Sequence, residues 1–208
     1  MTLRALCIGL LLTSCGGEPT SPPESTDCIV ALNIDPAVFA DIPNVRVISA
    51  PAATAPKSVP GCTRVLAAGF QLGAVTAEQW ACDSRVPDAV LSVDAIDGPS
   101  KCGNTRPIPV LRYQRHPSLN QREETVQRGI GVWRARNGTT DKFDQIEDGE
   151  LYCRAWPGRA PTAQCLIPEG RTWPGAAKSD HHLRDPAKAA WQWALDGWAK
   201  QKAGGPED

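Results

Sequence analysis

Glu150–Pro168 reads ELYCRAWPGRAPTAQCLIP, and its two halves mirror each other about Arg159. Pro157-Gly158-Arg159-Ala160-Pro161 supplies the residues that a tight turn needs, since proline pre-sets φ and glycine tolerates either sign of it. The flanking runs Glu150–Trp156 and Thr162–Pro168 then read as two antiparallel strands. Centring the hairpin on Arg159 puts Trp156 opposite Thr162 and Cys153 opposite Cys165. Directly opposed residues have Cβ atoms about 4.5–5.5 Å apart, which a modest local adjustment brings to bridging distance. The stretch therefore predicts a Cys153–Cys165 disulfide inside an antiparallel sheet.

Upstream, Gly129–Arg136, the dipeptide Asn137-Gly138 and Thr139–Glu147 repeat the strand-turn-strand pattern. Asn-Gly is a strong hairpin signal because a type I′ turn needs positive φ at both central residues. With the Asp148-Gly149 turn, the segment reads as a four-stranded meander from about Gly129 to Pro168. A two-residue turn at Asp148-Gly149 sets Glu147 opposite Glu150, which like charges resist. Before residue 113, apolar and β-branched runs split by proline predict strands at Cys28–Ile34, Val45–Ser49, Thr63–Gln71, Ala89–Val93 and Pro109–Tyr113. Ser118–Arg128 fits a short helix with Ser118 as its cap, or the start of the following strand.

The clearest helix lies near the end of the sequence. Asp185 suits the cap, Pro186 the first helical position, and Trp191, Leu195 and Trp198 fall on one face. These tryptophans are expected to dock the helix on the sheet rather than to hold a ligand. The expected fold is mainly β, or α+β by class: a disulfide-bonded antiparallel sheet domain with a C-terminal amphipathic helix.

Composition narrows the compartment and the class of partner. The chain has 208 residues, formal net charge -1, 18 Gly and 19 Pro. That excess of turn residues stays below the roughly 25–30% of low-complexity chains. A charge so near zero supports no nucleic-acid partner, because that affinity comes from neutralising phosphates with surplus Lys and Arg. Met1–Arg4 carries one positive charge, and Ala5–Leu12 is an apolar run too short for a membrane span and of the size of a signal-peptide core. Gly16–Asp27, GGEPTSPPESTD, has no aliphatic or aromatic side chain and reads as a solvated tether.

Leu12-Thr13-Ser14-Cys15, followed by Gly16-Gly17, resembles the lipobox of bacterial lipoproteins, and the resemblance covers Met1–Cys15 alone. It implies that residues 1–14 are removed, that Cys15 becomes the lipidated N-terminus, and that residues 15–27 tether a periplasmic domain of residues 28–208. Several acyl chains anchor stably where one does not. A glycine rather than an aspartate after the cysteine implies the periplasmic face of the outer membrane.

Eight cysteines then divide in a simple way. Cys7 leaves with the signal and Cys15 goes to lipid, so Cys28, Cys62, Cys82, Cys102, Cys153 and Cys165 remain in an oxidising compartment. Disulfides are the expectation, and no CxxC spacing points to a zinc or thioredoxin-type site. Six cysteines allow 15 connectivities. Nearest-neighbour order suggests Cys28 with Cys62 and Cys82 with Cys102, on weaker grounds than the hairpin gives for Cys153 with Cys165.

Catalytic patterns are sparse. No GxSxG, HExxH, Walker loop or GxGxxG occurs, and the histidines are His116, His181 and His182. Asp180-His181-His182 with Asp185 contains metal-ligating side chains. The tripeptide alone does not support the phosphoesterase family named for it, whose further aspartate motifs are missing, and adjacent side chains on extended backbone point apart. Asp141, Asp144, Glu147, Asp148 and Glu150 do not have EF-hand spacing. No metal or cofactor is expected.

Arg106–Arg136 is locally basic. Trp133, Arg134, Arg136 and Trp156 are the candidate partner-binding residues, because Trp and Arg are enriched at binding hot spots. The competing structural role for Arg134 is an ion pair with Asp141 across the Asn-Gly turn.

These features favour a membrane-anchored periplasmic lipoprotein that binds a protein without catalysis, such as an inhibitor or immunity-type protein against an envelope-acting toxin or hydrolase. A cell-envelope hydrolase or carbohydrate-processing enzyme using Asp94, Asp97 or the acidic hairpin is the alternative, and a structural lipoprotein of the envelope or secretion apparatus is a third reading. The lipobox gives the first test: Cys15→Ser is expected to move the protein from the membrane fraction to the soluble one, and persistence in the membrane fraction would overturn lipidation at Cys15.

Overall fold

The apolar runs of the first half do become strands, and they lie side by side. The computed structural model describes residues 26–115, 123–148, 151–167 and 184–203. The lipobox, most of the tether, Ser118 and all three histidines lie outside the described residues. One eight-stranded sheet runs in the order β2-β1-β3-β4-β5-β8-β7-β6. Its strands are β1 (Thr26–Leu32), β2 (Val45–Ala50), β3 (Cys62–Phe70), β4 (Ala89–Val93), β5 (Val110–Arg115), β6 (Asp144–Asp148), β7 (Leu151–Trp156) and β8 (Thr162–Ile167). The helices are α1 (Leu72–Asp83), α2 (Glu123–Asn137) and α3 (Arg184–Ala203), with a short 3-10 turn at Pro36–Phe39.

The chain is thus the sheet-rich, disulfide-bonded α+β domain with a C-terminal helix that its sequence predicts, but the sheet is mixed rather than antiparallel. Antiparallel pairing is confined to β6-β7-β8, while β2, β1, β3, β4, β5 and β8 run parallel. Parallel neighbours need long crossovers, usually helical, which then cover both faces of the sheet. Every residue of β4 is accordingly buried. On one face Ile29, Leu66, Leu91, Leu111 and Tyr113 pack beneath α3 and Phe39. On the other, Val30, Leu32, Val65 and Ala67 meet Trp80 of α1, and Val90 and Val110 meet Trp133 of α2.

The hairpin about Arg159 forms in the expected register, with Trp156 opposite Thr162 and Cys153 opposite Cys165. Three disulfides close the fold: Cys28–Cys62 between β1 and β3, Cys82–Cys102 from α1 to the loop before β5, and Cys153–Cys165 across β7 and β8. Glu147 pairs with Tyr152 and Asp148 with Leu151, so the opposition of Glu147 and Glu150 does not arise.

Two segments depart from the sequence reading. Gly129–Arg136, expected as a strand, lies within α2. The Asn137-Gly138 dipeptide stops that helix instead of turning a hairpin: Gly138 has φ 63°, its N–H donates to the Ala135 carbonyl at 3.2 Å, and the Thr139 N–H donates to the Arg134 carbonyl at 3.0 Å. This is the pattern of a left-handed helix terminus, which needs positive φ as a type I′ turn does. The meander therefore has three strands rather than four. α1 was not anticipated, because it begins without a capping side chain and carries a largely alanine face.

α3 docks as its tryptophan spacing predicts. Trp191 and Trp198 meet edge to face at 5.7 Å, and the Trp198 indole N–H donates to the Asp88 carbonyl at 2.9 Å. Gly197 permits the approach, since a Cβ there would sit 2.3 Å from Cγ of Pro109.

Between α1, α2 and the sheet lies a buried polar cluster. Glu78 of α1 accepts from Nε of Arg112 at 2.9 Å, from the Trp133 indole N–H at 3.0 Å and from the Ser92 hydroxyl. Arg112 and Glu78 are 1% and 0% exposed as side chains. Removing one partner of such a pair leaves a buried charge without compensation. Glu78→Ala is therefore expected to cost about 3–5 kcal/mol in urea unfolding, and Glu78→Leu with Arg112→Leu should recover most of that loss. Equal losses in the single and double variants would show that the cluster is not held by the pair.

Candidate functional site

In open α/β sheets, ligands bind outside the carboxyl ends of the strands where strand order reverses. Here that point lies between β1, which leads outward to β2, and β3, which leads the other way through β4 and β5. Three polar residues follow adjacent strands at this edge in left-handed conformations: Asn33 after β1 (φ 58°), Gln71 after β3 (φ 52°) and Asp94 after β4 (φ 51°). Non-glycine residues adopt such angles rarely, and they cluster at functional sites where the surrounding fold enforces them.

Gln71 is the most constrained of the three. With φ 52° and ψ -113° it joins β3 directly to α1, so the chain reverses within one residue. The flanking glycines make this possible. A Cβ on Gly69 would lie 2.2 Å from the Gly73 carbonyl oxygen, and one on Gly73 would lie 2.0 Å from the Leu32 carbonyl oxygen. The Gln71 N–H donates to the Val93 carbonyl at 2.8 Å, its carbonyl accepts from the N–H groups of Ala74 and Val75, and the Asn33 side-chain amide donates to the Phe70 carbonyl at 3.1 Å.

Gly69-Phe70-Gln71-Leu72-Gly73 thus has the geometry of a nucleophile elbow. In α/β-hydrolases that sharp strand-to-helix turn presents the serine of G-x-S-x-G. Here the apex carries a carboxamide, which donates and accepts hydrogen bonds but does not act as a nucleophile or as an acid or base near neutral pH. Leu72 and Ile96 share this edge and are 48% and 55% exposed, an apolar border to a polar apex.

The carboxylates considered for catalysis divide between interior and surface. Asp94 is buried at 3% exposure, whereas Asp97 is exposed and accepts from the Gly98 N–H at 2.8 Å. Asp141 and Asp144 are exposed. Among the described residues no group of three or more His, Cys, Asp or Glu is placed to hold a metal ion. Asp180-His181-His182 lies outside the described residues.

The four candidate partner-binding residues fall into two separate pairs. Trp133 is wholly buried, because its indole N–H serves Glu78, and the Arg136 guanidinium stacks on its ring at 4.9 Å. Arg136 is itself 7% exposed and donates to the Arg106 and Ala81 carbonyls. Trp156 is buried as well, with Arg134 over its ring at 4.9 Å and Phe143 at 6.0 Å. Arg134 also pairs with Asp141 at 2.7 Å, the structural role weighed for it. Interior packing therefore takes up Trp133, Trp156 and Arg136, and the expected hot-spot surface reduces to Arg134.

Sequence reasoning missed the elbow because a search for G-x-S-x-G requires serine at the apex. The surviving signal was two glycines four residues apart at the end of an apolar strand run. Fold and edge together define a mixed sheet, covered by helices on both faces, with a serine-less elbow at the switch point of its parallel part. No protein-family model matches the chain, and no curated protein is significantly similar to it.

Gln71→Gly tests whether the elbow is strained. Relief of the left-handed conformation, less the entropy that glycine adds to the unfolded chain, is expected to raise stability by about 1 kcal/mol in urea unfolding. A loss of stability of that size would mean that the Gln71 side chain holds the turn.

Proposed function

We propose that this protein is a membrane-anchored periplasmic lipoprotein that binds another protein without catalysis, through the sheet edge around Gln71. The observation that carries this reading is the elbow itself: a rigid, strained turn of the kind that presents a nucleophile has glutamine at its apex and exposed Leu72 and Ile96 beside it. Such an edge offers directional hydrogen bonding and apolar area, the two ingredients of a protein-binding hot spot, without a reactive group. Three disulfides keep the scaffold rigid, so little ordering cost attends binding. Within this reading we favour an inhibitor or immunity-type partner of an envelope-acting toxin or hydrolase, placed by acylated Cys15 on the periplasmic face of the outer membrane. No helix among the described residues is long and apolar enough to cross a membrane.

The elbow also motivates the second reading, a cell-envelope hydrolase that uses other residues at the same edge. In-cell cross-linking distinguishes the two. A protein partner captured by the wild type and lost in Leu72→Asp with Ile96→Asp supports binding. Turnover of peptidoglycan or of simple esters by the purified protein, abolished by Asp94→Ala, would overturn it.

A further inference from the structure

At the opposite edge of the sheet, where the parallel strands begin, α1 and α2 end beside the loop that leads into β5. A pocket of about 350 Å³ opens there, lined by Lys101, Asn104, Thr105, Arg136 and Arg159 with an apolar wall of Val132 and Ala135. Its size falls within the range of about 300–1,000 Å³ found for small-molecule sites. Three of its lining residues are cationic and none is acidic. Among the described residues, no carboxylate pairs with Lys101, Arg136 or Arg159.

Arg136 is the unusual member. It is more than nine-tenths buried, and its Nε and Nη1 donate to the carbonyls of Arg106 and Ala81, while Nη2 is buried without a hydrogen-bond partner. Burial, with the nearby charge of Arg106 adding to it, lowers the guanidinium from its ordinary range to about 10. A buried cation is normally paired, because an uncompensated charge in a low-dielectric setting is costly. Carbonyl dipoles supply part of the compensation here: Arg136 takes one from the end of α1, and Arg159 donates to the Arg136 carbonyl at the end of α2 at 3.0 Å. Neither contact neutralises a charge.

We propose that this pocket is an anion-binding site for a phosphate-bearing ligand. Three cations lining one pocket favour a multiply charged oxyanion over a single carboxylate, and guanidinium forks match the geometry of phosphate oxygens. Val132 and Ala135 supply the contact for an apolar or ring portion attached to the phosphate. The site lies at the other end of the strands from the elbow and stands independently of the function proposed for that edge.

The test uses full-length protein carrying Cys15→Ser, titrated calorimetrically with inorganic phosphate, phenyl phosphate and benzoate, and in parallel with phosphatidylglycerol vesicles. Phenyl phosphate is expected to bind at least about tenfold more tightly than benzoate, and Lys101→Ala or Arg159→Ala each to weaken it by about tenfold. Both residues are exposed, so these variants leave the core intact, whereas Arg136→Ala removes a buried side chain that bonds the Arg106 and Ala81 carbonyls. Binding to vesicles alone, with the same dependence on Lys101 and Arg159, would identify the phosphate source as a lipid headgroup. Absence of binding to any phosphate probe at millimolar concentration, or binding indifferent to both substitutions, would overturn the site.

Discussion

The carboxylate of Glu78 holds three elements to α1 at once, and the arrangement of the sheet follows from its need for donors. Ser92 comes from β4, Arg112 from β5 and Trp133 from α2, so residues far apart in sequence meet on one side chain. A buried carboxylate is tolerable only when its oxygens are saturated, and a slip of either helix would withdraw a donor. The guanidinium of Arg112 also dictates composition around it. A Cβ on Gly129 would come within 2.9 Å of Nη1, and one on Gly98 within 2.7 Å of the Gly129 Cα, so no side chain fits at either position without displacement. Glu78 lies two turns along α1 from Gln71, and fixing the helix there fixes the elbow from which it starts.

How much of this was legible depends on the range of the interaction involved. The Cys153–Cys165 hairpin could be read because its register is set by five turn residues and requires nothing distant. The strand positions in the first half could be read from β-branched runs bounded by proline. Their order and direction could not, because a parallel strand pairs across a crossover and, being buried on both faces, loses the alternation that would orient it. Gly129–Arg136 was misread for a local reason: positive φ at Gly138 is shared by two motifs, and only the surroundings of Asn137 decide between them. Its side chain bonds the backbone of Ile108 and the hydroxyl of Thr162, which ties the helix end to the segment leading into β5 and to β8. Trp133 and Trp156 looked like partner anchors because residue type alone does not reveal burial. Glu78 gave no warning in the sequence, since nothing near it announces its three donors.

The two ends of the parallel strands have different characters. At the carboxyl ends, backbone strain and exposed apolar side chains coincide around Gln71. At the amino ends, the helices deliver their carbonyl termini, and arginines answer them. Cationic side chains are favourable at such termini, so Arg136 and Arg159 have a structural reason to be there before any ligand is considered. Terminating two helices side by side thus also gathers positive charge at the pocket.

α3 is the last described element in chain order, yet it covers the face of the sheet formed by Leu66, Leu91 and Leu111. During synthesis, the part of that face beneath α3 stays open to water until residues 184–203 arrive, and only the Pro36–Phe39 turn covers the rest. The strands can be complete in number and still present a broad apolar plane to water. Folding is therefore completed from the carboxyl end, and a chain interrupted before α3 is a sticky plate rather than a smaller domain.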